Sequence, residues 1–296
     1  MAPFKNGNFC STPDQVHMMP KGSKNSILRN LLANPLTRGM DIDDVRTTEL
    51  RRRIIQEKNF LRRIYQEWYT RIVAALPEGK EPVLELGAGA GFLSDFIPRL
   101  ITSDVLKCPG MSIIMDACQQ FPFVDESLRG IVLVNVFHHL PQPSGFFREA
   151  ARCVRTGGVV VMIEPWATRW SRLVYTKLHH EPFDPDARQW KFPVRGPLSS
   201  ANGAMPWIIF ERDRAKLEKL FPAWEIDEIK PMMPFRYLIS GGVALRSLMP
   251  GWTFSIWRLI EDLLHPWMKI WAMFAQITLR KVAIADDNLS LKPEEG

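Results

Sequence analysis

The chain has 296 residues, 46% of them hydrophobic, and a formal net charge of +6. That is enough apolar material for one large domain with a substantial core. Much of the positive excess lies before residue 80, where the arginines of segment 51–63 share a helical pattern with Glu49, Glu57 and Glu67. We interpret them as a solvated helix face rather than a nucleic-acid patch, and expect no nucleic-acid partner.

Cysteine usage and hydropathy exclude two further classes of protein. The four cysteines have no C-x-x-C spacing and no signal-peptide pattern precedes them, which predicts reduced thiols in a cytoplasmic protein rather than a disulfide framework. No uncharged apolar stretch reaches the roughly 18 residues of a spanning helix. Nothing in these patterns indicates the oligomeric state.

The N-terminal part of the chain divides near residue 40. Residues 1–40 are rich in Pro, Asn, Ser, Lys and Gly without periodicity, and we expect a flexible tail. Residues 41–80 are predicted to contain one amphipathic helix that starts near Thr47 and ends at Pro77. Its expected inward face consists of Leu50, Ile54, Leu61, Ile64, Tyr65, Trp68, Ile72 and Val73.

The stretch that follows has the order strand, glycine turn, helix. Val83–Leu86 is a short apolar run, segment 87–91 reads Gly-Ala-Gly-Ala-Gly, and segment 92–97 can form a short helix before Pro98. Glycines let the backbone approach a ligand closely, and the helix start offers free N–H groups. The order therefore predicts a nucleotide-binding site.

The details of this turn favour a cationic nucleoside over a dinucleotide. Phe92 stands where a dinucleotide fingerprint needs its third glycine, and no Gly-Lys-Ser/Thr triplet of a P-loop is present. The carboxylate of Glu85 suits S-adenosylmethionine (SAM), which carries a sulfonium and an ammonium group and no phosphate. The residues predicted to bind the cofactor here are Glu85, Gly87, Ala88, Gly89 and Gly91.

Polar residues at the ends of later strands complete the predicted cofactor site. Strand 100–104 ends in Asp104, which is placed to accept both ribose hydroxyls, because parallel strands end at the ligand crevice. Strand 112–115 follows after a loop too short for a crossover helix, and leads into Asp116 and Ala117. Strand 131–135 ends in Asn135. We predict that all four residues bind the cofactor.

Two histidines follow the fourth strand, at the face where the sulfonium methyl group of a bound SAM is expected. A neutral imidazole of His138 or His139 could take a proton from an acceptor, and Glu164 at the end of the next strand could orient one of them. The alternative is that one histidine packs and the other caps the turn. His138-His139 and His179-His180 are adjacent pairs without zinc-site spacing, so no metal is predicted.

Residues 81–165 resemble the class I SAM-dependent methyltransferases of the type 11 group. The resemblance rests on EPVLELGAGAGFL, DACQQFPF, NVFHHL and FFREAARCVRTGGVVVMIEP, in that order. It implies an α/β, Rossmann-like sheet of seven mostly parallel strands, with an N-terminal helix and a helical insertion before the last strand. It also implies SAM as the cofactor and methyl transfer as the reaction.

The second half of the chain completes one predicted domain, residues 41–282, followed by a flexible tail at 283–296. A helix over Pro143–Val154, with Gly157-Gly158 closing it, is expected before a strand at 159–163. A helix at 211–221 and strands at 224–229 and 273–280 follow. The Pro-rich insertion 166–206 lies where a lid or acceptor pocket would be built.

The insertion 231–271 is unusually apolar. Its helix over 254–271 has one polar stripe, and Pro266 is expected to kink or divide it. The broad apolar face must be covered by the core, a partner subunit, a hydrophobic substrate or a bilayer. We expect the insertion to form the apolar side of the acceptor site, with peripheral membrane contact as a second expectation.

The sequence therefore predicts a methyltransferase that moves a methyl group from SAM to a small-molecule or lipid-like acceptor by in-line displacement. A nicotinamide-dependent oxidoreductase is the alternative from another class, against which Glu85 and the missing third glycine argue. A catalytically silent SAM-fold binding module is the other alternative. The pattern does not distinguish O-, N- and C-methylation.

Overall fold

The computed structural model describes residues 34, 36, 39–179 and 181–283. Most of the predicted tail at 1–40 and nearly all of the one at 283–296 lie outside the described residues, as does His180. Within the described residues, no helix has the length and hydrophobicity needed to cross a bilayer.

A seven-stranded sheet forms the centre of the domain, in the order β3-β2-β1-β4-β5-β7-β6. Strands β1 to β5 run parallel to one another, and β7 is antiparallel to both β5 and β6. This confirms the predicted Rossmann-like, mostly parallel sheet. The strands are β1 Val83–Leu86, β2 Leu100–Asp104, β3 Ile113–Ile114, β4 Leu128–Val134, β5 Val154–Pro165, β6 Trp224–Met232 and β7 Phe274–Lys281.

The position of β1 sets the position of the ligand crevice. All four of its residues are buried, and Val83 pairs with Leu100 of β2 on one side and Gly130 of β4 on the other. Between β1 and β4 the strand order reverses direction, and in open α/β sheets the crevice opens there, beyond the carboxyl ends of the strands.

Helices cover both faces of the sheet and make two apolar cores. Phe146 and Phe210 belong to one core, and Trp68 and Phe254 belong to the other. The helices are α1 Val45–Glu57, α2 Asn59–Ala75, α3 Pro143–Cys153, α4 Arg169–Leu178, α5 Met205–Trp207, α6 Arg214–Leu220, α7 Arg236–Ser240, α8 Phe254–Leu263 and α9 Met268–Trp271. Short 3₁₀ turns lie at Leu93–Asp95, Phe137–His139, Gly251–Thr253 and His265–Trp267, and a π turn at Ile208–Arg212.

The predicted single N-terminal helix is two helices. The chain leaves helical geometry at Lys58, whose ψ is 94°, between α1 and α2. The Lys58 ammonium group donates to the carbonyls of Gly242 and Leu245, which draws this residue toward the insertion. Val73, expected on the inward face, is 39% exposed.

Two other local predictions were wrong for reasons of backbone geometry. The short helix at 92–97 is only the 3₁₀ turn Leu93–Asp95. Helix α3 ends at Cys153, next to the predicted Val154, but Gly157, at φ +76°, lies within β5 instead of closing the helix. The residues between Val154 and Val159 form an irregularity in the pairing with β4, which a left-handed glycine permits.

The insertion 231–271 is held by a buried ion-pair cluster. Arg236 Nη1 donates to Glu67 Oε2 of α2 at 2.6 Å, and Arg236 Nε donates to Glu261 Oε2 of α8 at 2.5 Å. Glu261 also accepts the backbone N–H groups of Phe235 and Arg236. Glu261 of α8 therefore faces inward, and Pro266 divides the helical segment as predicted.

Removing the central cation of this cluster is expected to destabilise the domain strongly. Arg236→Leu leaves Glu67 and Glu261 without their buried partner, which typically costs about 3–5 kcal/mol. The matched control, Arg280→Leu, breaks an exposed pair with Asp227 and should cost about 0–1 kcal/mol. Urea unfolding of both variants measures the difference. Equal losses would contradict a structural role for the cluster.

Candidate functional site

A cavity of about 1290 Å³ opens at the carboxyl ends of β1, β2 and β4. Ligand pockets commonly span about 300–1,000 Å³, so this one has room for more than one small molecule. Its lining includes seven of the predicted site residues: Gly87, Asp104, Asp116, Ala117, Asn135, His138 and His139. The other four, Glu85, Ala88, Gly89 and Gly91, are not in the lining.

The glycine turn packs closely against side chains of neighbouring segments. Gly87 has φ +69°, and a Cβ there would lie 2.4 Å from Val136 Cγ2. At Gly89 a Cβ would lie 2.6 Å from Thr48 Cγ2 and 2.7 Å from Asp104 Oδ2. The glycines are thus needed to let the turn, helix α1 and the end of β2 come together.

Asp104 ties the glycine turn to the end of β2. Its Oδ2 accepts the N–H of Gly89 at 3.0 Å, and its Oδ1 accepts the N–H of Leu106 at 2.9 Å. Burial raises the pKa of Asp104, although the backbone hydrogen bonds of Leu106 and Gly89 oppose that shift. Each carboxylate oxygen can accept a further hydrogen bond.

Glu85 lies under the glycine turn. Its Oε1 is 3.4 Å from the position of a Cβ at Gly91, and Arg52 Nε donates to the carbonyl of Gly91 at 3.1 Å. Burial raises the pKa of Glu85 to about 8, with Arg52 opposing the shift and Asp104 adding to it. Its predicted contact with the cofactor remains a prediction.

The two histidines are fixed through their Nδ1 atoms. His138 Nδ1 is 2.6 Å from Glu164 Oε2, which confirms the predicted orienting contact. The other oxygen of Glu164 accepts the N–H groups of Val136 and Phe137. His139 Nδ1 donates to the carbonyl of Ser200 at 2.8 Å. The two rings lie with their centroids 4.2 Å apart.

Glu181 faces both histidines from the other side. Its carboxylate lies 3.5 Å from His138 Nε2 and 4.0 Å from His139 Nε2. Burial by itself would lower the pKa of His138, but Glu164 and Glu181 raise it to about 9. Burial, followed by the charge of His138, lowers the pKa of His139 to about 4. Burial opposes the shift at Glu181, yet His138 holds the pKa of that carboxyl well below its usual range.

Several lining residues were not predicted as site residues from the sequence. Tyr65 of α2 contacts Asn135, and Arg51 of α1 lies at the same end of the cavity. Glu181 comes from the insertion after β5, where only a general acceptor pocket was expected. A carboxylate directly after two histidines in LHHEP was the available signal, and it gives no spatial partner by itself.

The fit of the glycine turn can be tested through Gly89. Gly89→Ala places a methyl group too close to Thr48 and Asp104, and such overpacking costs about 1–3 kcal/mol. Thr48→Ser removes Cγ2, so the double variant should recover part of the loss in the free energy of unfolding. Urea unfolding of both single variants and the double variant measures this. A Gly89→Ala protein as stable as wild type would contradict the packing.

Comparison with known proteins gives a family match for one segment of the chain and a similar fold. A family model described as "Methyltransferase domain" matches residues 84–162. The fold is similar to geranyl diphosphate C-methyltransferase from Streptomyces coelicolor, with 11% identity and TM-score 0.46 over 85% of this chain and 89% of that chain. A putative methyltransferase from Bacillus halodurans has 17% identity and TM-score 0.39 over 72% and 97%.

A putative sarcosine dimethylglycine methyltransferase from Galdieria sulphuraria has 12% identity and TM-score 0.39, over 73% of this chain and 84% of that chain. A comparison with curated protein sequences found no match. The family match falls on the segment from β1 into β5, which includes the glycine turn and both histidines. Residues 84–162 of this chain therefore match a methyltransferase domain.

Proposed function

We propose that the cavity holds SAM beside the glycine turn and a small-molecule or lipid-like methyl acceptor beside His138 and His139. The observation that carries this proposal is that Gly87, Asp104 and both histidines line a single cavity. Methyl transfer needs donor and acceptor aligned in one water-poor space.

The cofactor end supplies polar groups for a nucleoside. Asp104 has spare lone pairs for the ribose hydroxyls, while its bonds to the backbone keep the carboxylate in place. Asp116, Ala117 and Asn135 line the same end, and we propose that they contact the adenine side or the amino-acid side of SAM. Asn135 has φ +56°, a conformation that turns the chain sharply at the end of β4.

The acceptor end is largely apolar. Tyr175 and Phe183 stack with ring centroids 4.8 Å apart, and Tyr237 and Leu238 from the insertion line the cavity beside them. We propose that residues 41–282 form one domain in which insertions 166–206 and 231–271 build this wall. Apolar walls with a few polar groups favour a hydrophobic acceptor that carries one nucleophilic atom.

The reaction itself demands little of the protein beyond alignment. The nucleophile attacks the methyl carbon, and the electron pair of the broken S–C bond stays on sulfur, which becomes a thioether. A proton acceptor is required only where the nucleophile must lose a proton. His138 and His139 are our candidates for catalytic residues because they lie at the acceptor end of the cavity.

Asp104 provides a direct test of the cofactor end. Asp104→Asn weakens the charge-assisted bonds to the ribose, which are worth about 1.5–3 kcal/mol, so SAM affinity should fall about tenfold or more. Asp95→Asn, at an exposed position, is the control. Calorimetric titration with SAM measures both variants. Normal affinity in a folded Asp104→Asn protein would move ribose recognition elsewhere.

The acceptor can be sought in extracts. Small-molecule and lipid extracts are incubated with SAM carrying an isotope-labelled methyl group, and mass spectrometry is used to find labelled products. Products are expected with wild type and should be strongly reduced with Asp104→Asn at limiting SAM. SAM binding without any labelled product in either extract would favour the catalytically silent module.

We also propose that the surface around α8 rests on a bilayer. Four large apolar side chains point to solvent there: Trp252 is 74% exposed, Leu263 67%, Leu259 61% and Ile256 52%. Phe254 and Glu261 are buried on the opposite side of α8, so the exposed apolar side chains lie on its outward side, together with Arg258 and Asp262. Along the chain, this surface follows the cavity-lining residues Tyr237, Leu238 and 241–245.

The charges near this surface favour an anionic bilayer as its partner. Arg246 and Arg258 are exposed, and Arg258 Nε is 4.0 Å from Asp262 Oδ2. Basic side chains beside an apolar helix face add electrostatic attraction to anionic lipid.

Liposome flotation tests the membrane contact. Leu259→Ser with Leu263→Ser should lower binding to anionic vesicles about tenfold or more, since burying each leucine contributes about 1.5–3 kcal/mol. Leu220→Ser is the matched control, because Leu220 is 52% exposed on α6, away from this surface. All variants should keep their melting temperature. Wild-type protein that stays with the unbound fraction would contradict the proposal.

A further inference from the structure

We propose that His138, His139 and Glu181 bind a divalent transition-metal ion at the acceptor end of the cavity. The three residues come from two distant parts of the chain, the turn after β4 and the segment after α4. One ligand atom from each lies within 4.8 Å of the other two. Two imidazoles and one carboxylate form a common set of protein ligands for such ions.

The distances leave room for an ion. Glu181 Oε2 is 3.5 Å from His138 Nε2, and Glu181 Oε1 is 4.0 Å from His139 Nε2. Metal bonds of about 2.0–2.2 Å place two ligands of a tetrahedral site roughly 3.3–3.5 Å apart. The distance to His138 already fits. The three ligand atoms as a set lie within 4.8 Å of one another, so the wider separations must close by up to about 1.3 Å around an ion.

The hydrogen bonds behind the histidines are those of a metal site. His138 presents Nδ1 to Glu164, and His139 donates its Nδ1–H to the carbonyl of Ser200. Metal-binding histidines usually donate their other N–H to a carboxylate or a backbone carbonyl, which fixes the ring and its tautomer. Here both kinds of partner are present, and the Nε2 atoms of both histidines face the carboxylate of Glu181.

The surroundings favour a metal that keeps open positions. All three residues line the cavity, while His138 is only 2% exposed. Three protein ligands leave coordination positions for a substrate atom, and imidazole with carboxylate suits Zn²⁺, Fe²⁺ or Co²⁺ better than Mg²⁺. The site would take an acceptor with an oxygen or nitrogen donor atom.

The role of the ion rests on the proposed function. A bound cation stabilises the ionised form of an acceptor hydroxyl, whose proton passes to water. The oxygen then forms its bond to the methyl carbon as the S–C bond breaks and its electron pair stays on sulfur. The ion would thus activate the acceptor in the place where a histidine acting as a base was expected.

Metal binding is measured on the full chain, purified and treated with chelator, without SAM. Wild type is expected to bind about one Co²⁺ with visible d–d absorption, and added Zn²⁺ should displace it. Glu181→Gln should weaken Co²⁺ binding about tenfold or more while the protein stays folded. His265→Asn, an exposed histidine on the insertion, is the control and should bind as wild type does.

The outcomes separate this proposal from the methyl-transfer proposal. Wild type that shows no Co²⁺ absorption and retains no Zn²⁺ would overturn the metal site, as would equal binding by Glu181→Gln. A glutamate-bridged histidine pair without metal would give that result. If Glu181→Gln does not fold, His139→Ala replaces it. SAM affinity, titrated separately, should be the same in either variant as in wild type. A wild-type protein that does not bind SAM would count against the proposed function and not against the metal site.

Discussion

The buried carboxylate of Glu164 is the interaction on which the active end of the sheet depends. It sits at the end of β5 and accepts two backbone N–H groups and His138 Nδ1 from the turn after β4. The turn could otherwise leave these N–H groups unpaired in the core, at a cost of about 1–3 kcal/mol each. One side chain therefore joins two strand ends and aims a histidine at the cavity.

The same principle, a buried charge that organises backbone, recurs at two other places. Asp104 ties the glycine turn to the end of β2 through Gly89 and Leu106. Glu261 ties α8 to the start of α7 through Phe235 and Arg236. Asp104 lines the cavity itself, and Glu261 holds the start of α7, whose Tyr237 and Leu238 line it. The cavity is thus shaped by short-range hydrogen bonds as much as by apolar packing.

Local patterns predicted the sheet well and the long-range contacts poorly. Strand β2 has the predicted bounds, and the carboxyl ends of the strands bring Asp104, Asp116 and Asn135 to one cavity because a parallel sheet has a single such edge. Glu181 could not be placed, since its position follows from how the insertion 166–206 folds back over the histidines. The sequence also left undecided which side chains of α8 face solvent, because that depends on how the insertion 231–271 packs on the domain.

Breaks in helices were missed where a tertiary contact overrides propensity. Lys58 interrupts the first helical pattern because its ammonium group binds carbonyls of residues 242 and 245, more than 180 positions away. Gly157 looked like a helix stop but permits an irregular strand whose pairing partner, β4, lies earlier in the chain. Neither signal is visible in a window of neighbouring residues.

The central claim is that donor and acceptor share one cavity between the glycine turn and the histidines. A crystal structure with S-adenosylhomocysteine tests it most directly. The account predicts the ribose hydroxyls within about 3 Å of the Asp104 carboxylate, with the sulfur toward His138 and His139. A nucleoside bound elsewhere, or one that leaves Asp104 without contact and turns its sulfur away from the histidines, would contradict it.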